Sequence, residues 1–420
     1  MKHLSKATAL ALLISISGAA VTAPALAAPN YADIEQRKKA KTKVMGERVG
    51  KKMVAAFEQY NQEQVDEAIK ALREIEASDA FDRATVDRFL GQMLAQKEQM
   101  VDAIKYIAAA VKPDVLNFKD QADTIKLLGD LYVQTQNYAE AKKMYLKWMD
   151  FTGEEDPKVY ALIAQANFES KLYNEVIPMA DKAIALSKDK PVKDYYMLKV
   201  GAYFEQKKYK DAVGVLETAV QVFPTDGKLW TQLGKFYMQV EQYSEGLTVM
   251  QVAYDKGYFD SETDYKVLAS YYSLVDVPYR AATYYDKFIK EGKVKRDKQN
   301  VTALASYYHA AKNIKEAAKY YNEAAQFDND AELVRRSGAL LVELQNYSDA
   351  IERLNKALEL GSEKKGSIYS SLAEAYLYQE KYKQAYQAIL KAQDDPTTAK
   401  FAKSWAGFIK DKAQRKGVAL

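Results

Sequence analysis

Residues 229–246 read LWTQLGKFYMQVEQYSEG. Leu229, Leu233, Phe236, Tyr237 and Val240 recur at helical spacing and give the stretch one apolar face. Gly234 nevertheless stands inside it, where glycine costs a helix about 0.8 to 1.0 kcal/mol against alanine. Such a residue is needed where a second helix crosses closely. A leucine there would overpack the crossing by about 1 to 3 kcal/mol.

The same frame recurs along the chain. The small-residue place is taken by Ala56, Gly91, Gly129, Ala164, Val200, Gly234, Ala269, Ala305, Gly338 and Ala373, at spacings of 33 to 38 residues. Twelve residues after each stands Ala68, Ala103, Ala141, Val176, Ala212, Gly246, Ala281, Ala317, Ala350 or Ala385, and eight of these ten are alanine. Polar breaks fall between the two places, at Gln136-Asn137, Lys207-Lys208, Glu241-Gln242, Gln345-Asn346 and Glu380-Lys381. Breaks this short join antiparallel helices. One hairpin cannot bury its apolar face alone, so neighbouring units must stack.

Trp230, Leu233, Gly234, Tyr237, Gly246, Met250 and Ala253 fall on the spacing of the tetratricopeptide repeat, and residues 45–395 resemble that family throughout. The resemblance implies an all-α fold, an α-solenoid of about ten helix-turn-helix units forming a right-handed superhelix. Trp148 and Phe288 depart from the pattern where a final alanine is usual, and Pro278 replaces the second tyrosine of its unit. Residues 396–420 hold one more amphipathic helix, with Phe401, Trp405 and Phe408 on one side, which reads as a capping helix with a polar back, followed by a tail. Residues 28–44 are polar and basic and read as a frayed arm, with a lead-in helix as the alternative.

The first 27 residues carry an address. Lys2 and Lys6 flank a short basic start, residues 7–21 are apolar and uncharged, and Ala25-Leu26-Ala27 supplies a small-x-small cleavage pattern. This reads as a signal peptide cleaved after Ala27, which places the mature chain in a Gram-negative periplasm. A retained membrane anchor is the weaker reading, because Gly18 and Pro24 interrupt the stretch. After residue 27 no apolar run reaches the length of a membrane span. The chain contains no cysteine, which excludes disulfides, thiolate metal sites and a cysteine-linked lipid anchor. Lys and Arg exceed Asp and Glu by only four, with both signs interspersed, so no basic stripe points to nucleic acid.

Catalytic, cofactor and metal sites are not expected. Once His3 leaves with the leader only His309 remains, and it reads as a solvated helix residue. Gly46–Lys52 lacks the spacing and the hydroxyl residue of a phosphate loop. Most of the tyrosines, including Tyr132, Tyr203, Tyr237, Tyr272, Tyr308 and Tyr376, occupy fixed repeat places and fill the joints between helices. Gly91, Gly129, Gly234, Gly338, Ala141, Ala212, Ala350 and Ala385, with Trp230 and Tyr237, are expected to be structural.

The tetratricopeptide resemblance implies a protein or peptide partner lying along the first helices of the units. Four residues past the small place this puts Val133, Phe168, Phe204 and Met238 on a groove in consecutive units, with Lys235 and Gln239 beside them. Coverage of these side chains by the next unit is the competing reading. The segment from Ser78 to Gly91, the leader and the long array also resemble periplasmic repeat proteins encoded beside TonB, ExbB and ExbD energy-transduction systems of gamma-proteobacteria. That resemblance implies an accessory of TonB-dependent transport that contacts TonB, ExbB, ExbD or an outer-membrane receptor. The alternative is an accessory, or enzyme, of envelope polysaccharide export or cell-wall assembly.

Overall fold

The computed structural model describes residues 29–420, and within them the chain is all helix, turn and short connection, with no strand. The expected signal peptide lies outside the described residues. Two compact units divide after Lys208.

The first unit opens with α1 (Tyr31–Lys39). The pairs α2 (Glu47–Asn61) and α3 (Val65–Arg73), then α4 (Ala80–Gln96) and α5 (Met100–Val111), follow it. Next come α6 (Phe118–Gln134) with α7 (Tyr138–Thr152), α8 (Pro157–Glu169) with α9 (Tyr173–Leu186), and finally α10 (Lys193–Glu205). The second unit begins with α11 (Tyr209–Val222) and the pair α12 (Gly227–Gln239) and α13 (Tyr243–Asp255). It continues through α14 (Glu262–Leu274) and α15 (Pro278–Lys290), α16 (Lys298–Ala310) and α17 (Ile314–Ala325), and α18 (Ala331–Glu343) and α19 (Tyr347–Glu359). It ends with α20 (Lys365–Tyr378), α21 (Tyr382–Lys391) and, after one 3-10 turn, α22 (Ala399–Arg415). Each unit by itself is an α-solenoid array of helix hairpins of tetratricopeptide type.

Every repeat turns on one residue in the left-handed region. Glu63, Glu98, Gln136, Lys171, Lys207, Glu241, Asp276, Lys312, Gln345 and Glu380 have φ between 57° and 63°, and each lies seven places after the small residue of its repeat. The next N–H then reaches back to a carbonyl of the first helix, as Asn137 does to Tyr132 at 2.8 Å and Gln242 to Tyr237 at 3.0 Å. This closes the helix end as a Schellman cap does. Glycine usually takes that position, because a side chain there costs roughly 1–2 kcal/mol. All ten residues here are instead long or acidic and polar.

The small residues make room within their own repeat. A Cβ on Gly91, Gly129, Gly234 or Gly338 would lie 2.9 Å or closer to Ile107, Tyr145, Met250 or Leu354, each sixteen residues on, in the second helix. The alanines Ala141, Ala212, Ala350 and Ala385 are fully buried at the reciprocal place. Gly246 serves a different neighbour. A Cβ there would collide with the ring of Tyr271 in α14, and the fully buried Tyr271 hydroxyl donates to the Gly234 carbonyl. One tyrosine therefore threads between two glycines and fastens consecutive repeats. Tyr237 is buried beside them and donates to Glu217. Trp230 donates its indole N–H to the Pro224 carbonyl at 3.0 Å and pins the turn between α11 and α12. The departures Trp148 and Phe288 are buried in their cores, and Pro278 opens α15, where a missing N–H costs nothing.

At the N-terminal end of the described residues, 31–39 form a docked helix, the lead-in helix that was the alternative to a frayed arm. Ile34 is buried, Arg37 pairs with Asp114 at 2.9 Å and lies over Phe151, and Lys38 lies over Phe118. Past α1 the chain runs on as a strap. Lys43 exchanges hydrogen bonds with Asn117, 2.8 Å from its N–H and 3.1 Å to its carbonyl, and the Gly46 N–H donates to the buried Asp82. At the other end, α22 docks through Ala402, Ala406, Ile409 and Ala413, not through its aromatics, because the small side chains let the helix sit close.

Gly246→Ala, although it restores the residue found in eight sister repeats, is expected to destabilise the protein by about 1 to 3 kcal/mol through overpacking against Tyr271. Adding Tyr271→Leu should recover part of that loss, read as non-additive shifts of the urea midpoint. Gln345→Gly is expected to act in the opposite direction, raising stability by about 0.5 to 1 kcal/mol by relieving the left-handed turn.

Candidate functional site

An apolar cleft of the first unit lies between α8 and α10, the first helices of consecutive repeats. Asp156 caps α8 by accepting from the Lys158 N–H at 2.7 Å, and Pro157 sets its first turn. One face of the helix buries Val159, Tyr160, Ile163 and Ala164 in the core, which leaves Ala161, Leu162, Gln165 and Phe168 turned toward α10. From α10 come Tyr195, Met197, Leu198 and Gly201. Together they bound an open cleft of about 650 Å³. Its floor is apolar, and its rim carries Lys158, Glu169 and Asp194.

Phe168 and Gly201 set the depth of this cleft. The Phe168 ring packs edge-on against Tyr173, with centroids 5.5 Å apart, and a Cβ on Gly201 would lie 3.1 Å from its edge. This repeat has valine, Val200, at the small place and its glycine one residue later, so the missing side chain faces the cleft. That shift of frame was visible in the sequence. It is the signal that would have added Leu162, Leu198 and Gly201 to the expected groove.

The other groove positions fall in several environments. Val133 is half-buried against the core of the first unit, and Phe204, at the end of α10, is 49% exposed but does not line the cleft. Met238 is half-buried against the core of the second unit, and Gln239 is exposed near the end of α12. Farther along, at the same place of their repeats, Val342 and Leu377 are buried in the core of the second unit. Lys235 does not stand free, because its ammonium binds the fully buried Asp264 at 2.7 Å. Burial alone would raise the Asp264 carboxyl, but Lys235 and Ser261 hold it below its ordinary value. Asp130 likewise accepts from the Tyr145 hydroxyl at 2.7 Å, and burial together with that carboxylate pushes the phenol up.

Among the described residues no three His, Cys, Asp or Glu side chains are placed to hold a metal ion, and no helix is long and apolar enough to cross a membrane. His309 is exposed, its ring 6.4 Å from that of Tyr321. Glu155 accepts from the Tyr160 hydroxyl at 2.8 Å, and Asp395 accepts from the Thr397 N–H at 2.9 Å.

Solved structures similar to the chain include a tetratricopeptide repeat protein from Parabacteroides merdae. It is 12% identical, covers 70% of this chain and 99% of its own, and has a TM-score of 0.36. The C-terminal part of a TPR repeat-containing protein from Cytophaga hutchinsonii is 15% identical, covers 66% of this chain and 97% of its own, and has a TM-score of 0.37. YrrB, described as a TPR protein with an unusual peptide-binding site, is 17% identical, covers 45% and 97%, and has a TM-score of 0.37. No curated protein matches the chain. The family model of the ChAPs, the Chs5p-Arf1p-binding proteins, matches residues 60–329, well over half of the sequence, and the chain belongs to that family.

Proposed function

We propose that this protein is a non-enzymatic scaffold that holds a segment of another protein in the cleft between α8 and α10. The cleft itself carries the reading: its apolar floor, ringed by a few charged groups, suits one or two large side chains of an extended or helical peptide. The family description, which names the binding of Chs5p and Arf1p, supports partner binding as the general activity. Phe168 and Leu198 are the anchoring contacts, and Lys158, Glu169 and Asp194 fix the register of the bound segment.

The setting we propose is the periplasm, with the leader removed after Ala27, in the service of a TonB-dependent transport system. Support comes from the basic-apolar-small pattern of residues 1–27 and from the resemblance carried by the segment from Ser78 to Gly91. In the structure that segment forms the start of α4, where Asp79 caps the helix, Asp82 holds Gly46 and Arg88 pairs with Asp120 at 2.6 Å. TonB, ExbB, ExbD or an outer-membrane receptor would be the partner.

Phe168→Ser with Leu198→Ser is expected to weaken partner capture at least tenfold while leaving helicity unchanged, the scale of loss found at buried interface anchors. Undiminished pull-down by a helical double variant would remove the cleft from the site. Photocrosslinking from position 204, at the adjacent end of α10, should trap a TonB-system component in cells. Recovery of only unrelated proteins would overturn that assignment and leave the scaffold reading standing. The chain recovered from the periplasmic fraction should begin at Ala28.

A further inference from the structure

A cap on a helical array normally turns a polar face outward. The last helix here does not. With Ala402, Ala406, Ile409 and Ala413 inside, Phe401 and Phe408 are left 48% and 47% exposed, and the half-buried Trp405 bridges them with ring centroids 5.3 and 6.1 Å away. Phe401, Trp405, Phe408 and Lys412 follow one another at helical steps of four, three and four residues and form a single stripe beside the docked face.

The charges around this stripe are unbalanced. Residues 396–420 hold six cations and one acid, an excess of five, whereas the whole chain has an excess of only four. Arg415 pairs with Asp411 at 3.0 Å and Lys416 with Glu380 at 3.1 Å. Among the described residues Lys400, Lys403, Lys410 and Lys412 have no carboxylate partner, and all four are exposed. Elsewhere in the same unit some surface lysines are matched, as Lys298 is by Asp328 and Asp330, both at 2.7 Å.

We infer that α22 is a membrane-contact helix that rests on an anionic lipid surface. Two exposed Phe flanking a half-buried Trp, on a helix rich in lysine without carboxylate partners, is the composition of a helix lying in the plane of a bilayer interface. The rings enter the headgroup boundary while the lysines meet anionic headgroups. A protein partner fits less well, because protein interfaces are enriched in aromatics but depleted in lysine. The contact is peripheral and reversible, and the docked alanine face keeps the helix attached to the array while it binds.

The test is co-sedimentation of the chain from residue 28 onward, which contains every described helix, with vesicles of phosphatidylcholine alone or mixed with phosphatidylglycerol. Binding is expected at least about tenfold tighter to the anionic vesicles and lost at high salt, as a short-range electrostatic contact requires. Phe401→Ser with Phe408→Ser, and separately Lys403→Glu with Lys410→Glu, should each remove most of it with helicity intact. These four side chains are exposed, so the variants keep the fold. Equal binding to both vesicle types, or anionic binding that survives both double variants, overturns the inference. So does a dimer in light scattering that the Phe401→Ser, Phe408→Ser variant dissociates, because the stripe would then be covered by a second copy. Phe168→Ser with Leu198→Ser should leave vesicle binding unchanged, which separates this surface from the cleft.

Discussion

The contact on which the structure depends is the one between a residue without a side chain and the side chain sixteen positions later. In four repeats a glycine of the first helix receives Ile107, Tyr145, Met250 or Leu354 from the second. The cost of glycine in a helix is offset by the close packing it permits, since interiors are filled to crystal density and a void or an extra methyl is felt at once. Once the crossing is fixed, the connecting turn has one length. One residue must then enter the left-handed region, always seven places past the small one.

The architecture was legible because this constraint repeats at a constant interval and small residues are conspicuous among large ones. The left-handed turns were legible only as polar breaks, because glycine, the usual marker of such a backbone, is missing from all ten. Gly246 could be singled out but not explained, since Tyr271 stands twenty-five residues away in the next repeat. The ion pair of Lys235 was not legible for the same reason: Asp264, its partner, is twenty-nine residues distant. At α22 the error came from ranking side chains by hydrophobicity. Alanine buries little area itself but admits a whole helix face, so the alanine side docked and the aromatic side stayed out.

Many of the thirty-two tyrosines and a set of buried acids belong to one packing device. Asp286, nearly inaccessible in α15, accepts from Tyr320 at 2.8 Å and Tyr308 at 3.3 Å while Lys290 approaches at 2.7 Å. Tyr285 reaches Asn300 at 2.9 Å, and Tyr272 reaches Gln251 at 2.6 Å. A phenol fills the apolar joint and carries one donor across it, so the carboxylates and amides it reaches are hydrogen-bonded where they leave water. Burial pushes the Tyr308 and Tyr320 hydroxyls up, which keeps them protonated donors at any physiological pH. Polar joints of this kind select one register between helices whose apolar faces are otherwise alike.

The strap at the start of the described chain alters how that end of the array can come apart. In a solenoid each repeat touches only its neighbours, so the terminal repeat has half the support of an interior one and is the natural place for unzipping to begin. Residues 37 and 43 instead bind the connection between α5 and α6, seventy or more positions away, and residue 46 binds the start of α4. A contact of that sequence span is lost only when the intervening helices lose their arrangement as well. The strap therefore ties the opening of the first helices to that of α4 and of the connection between α5 and α6. An array whose parts otherwise stabilise one another only locally has, at this end, the equivalent of a knotted lace.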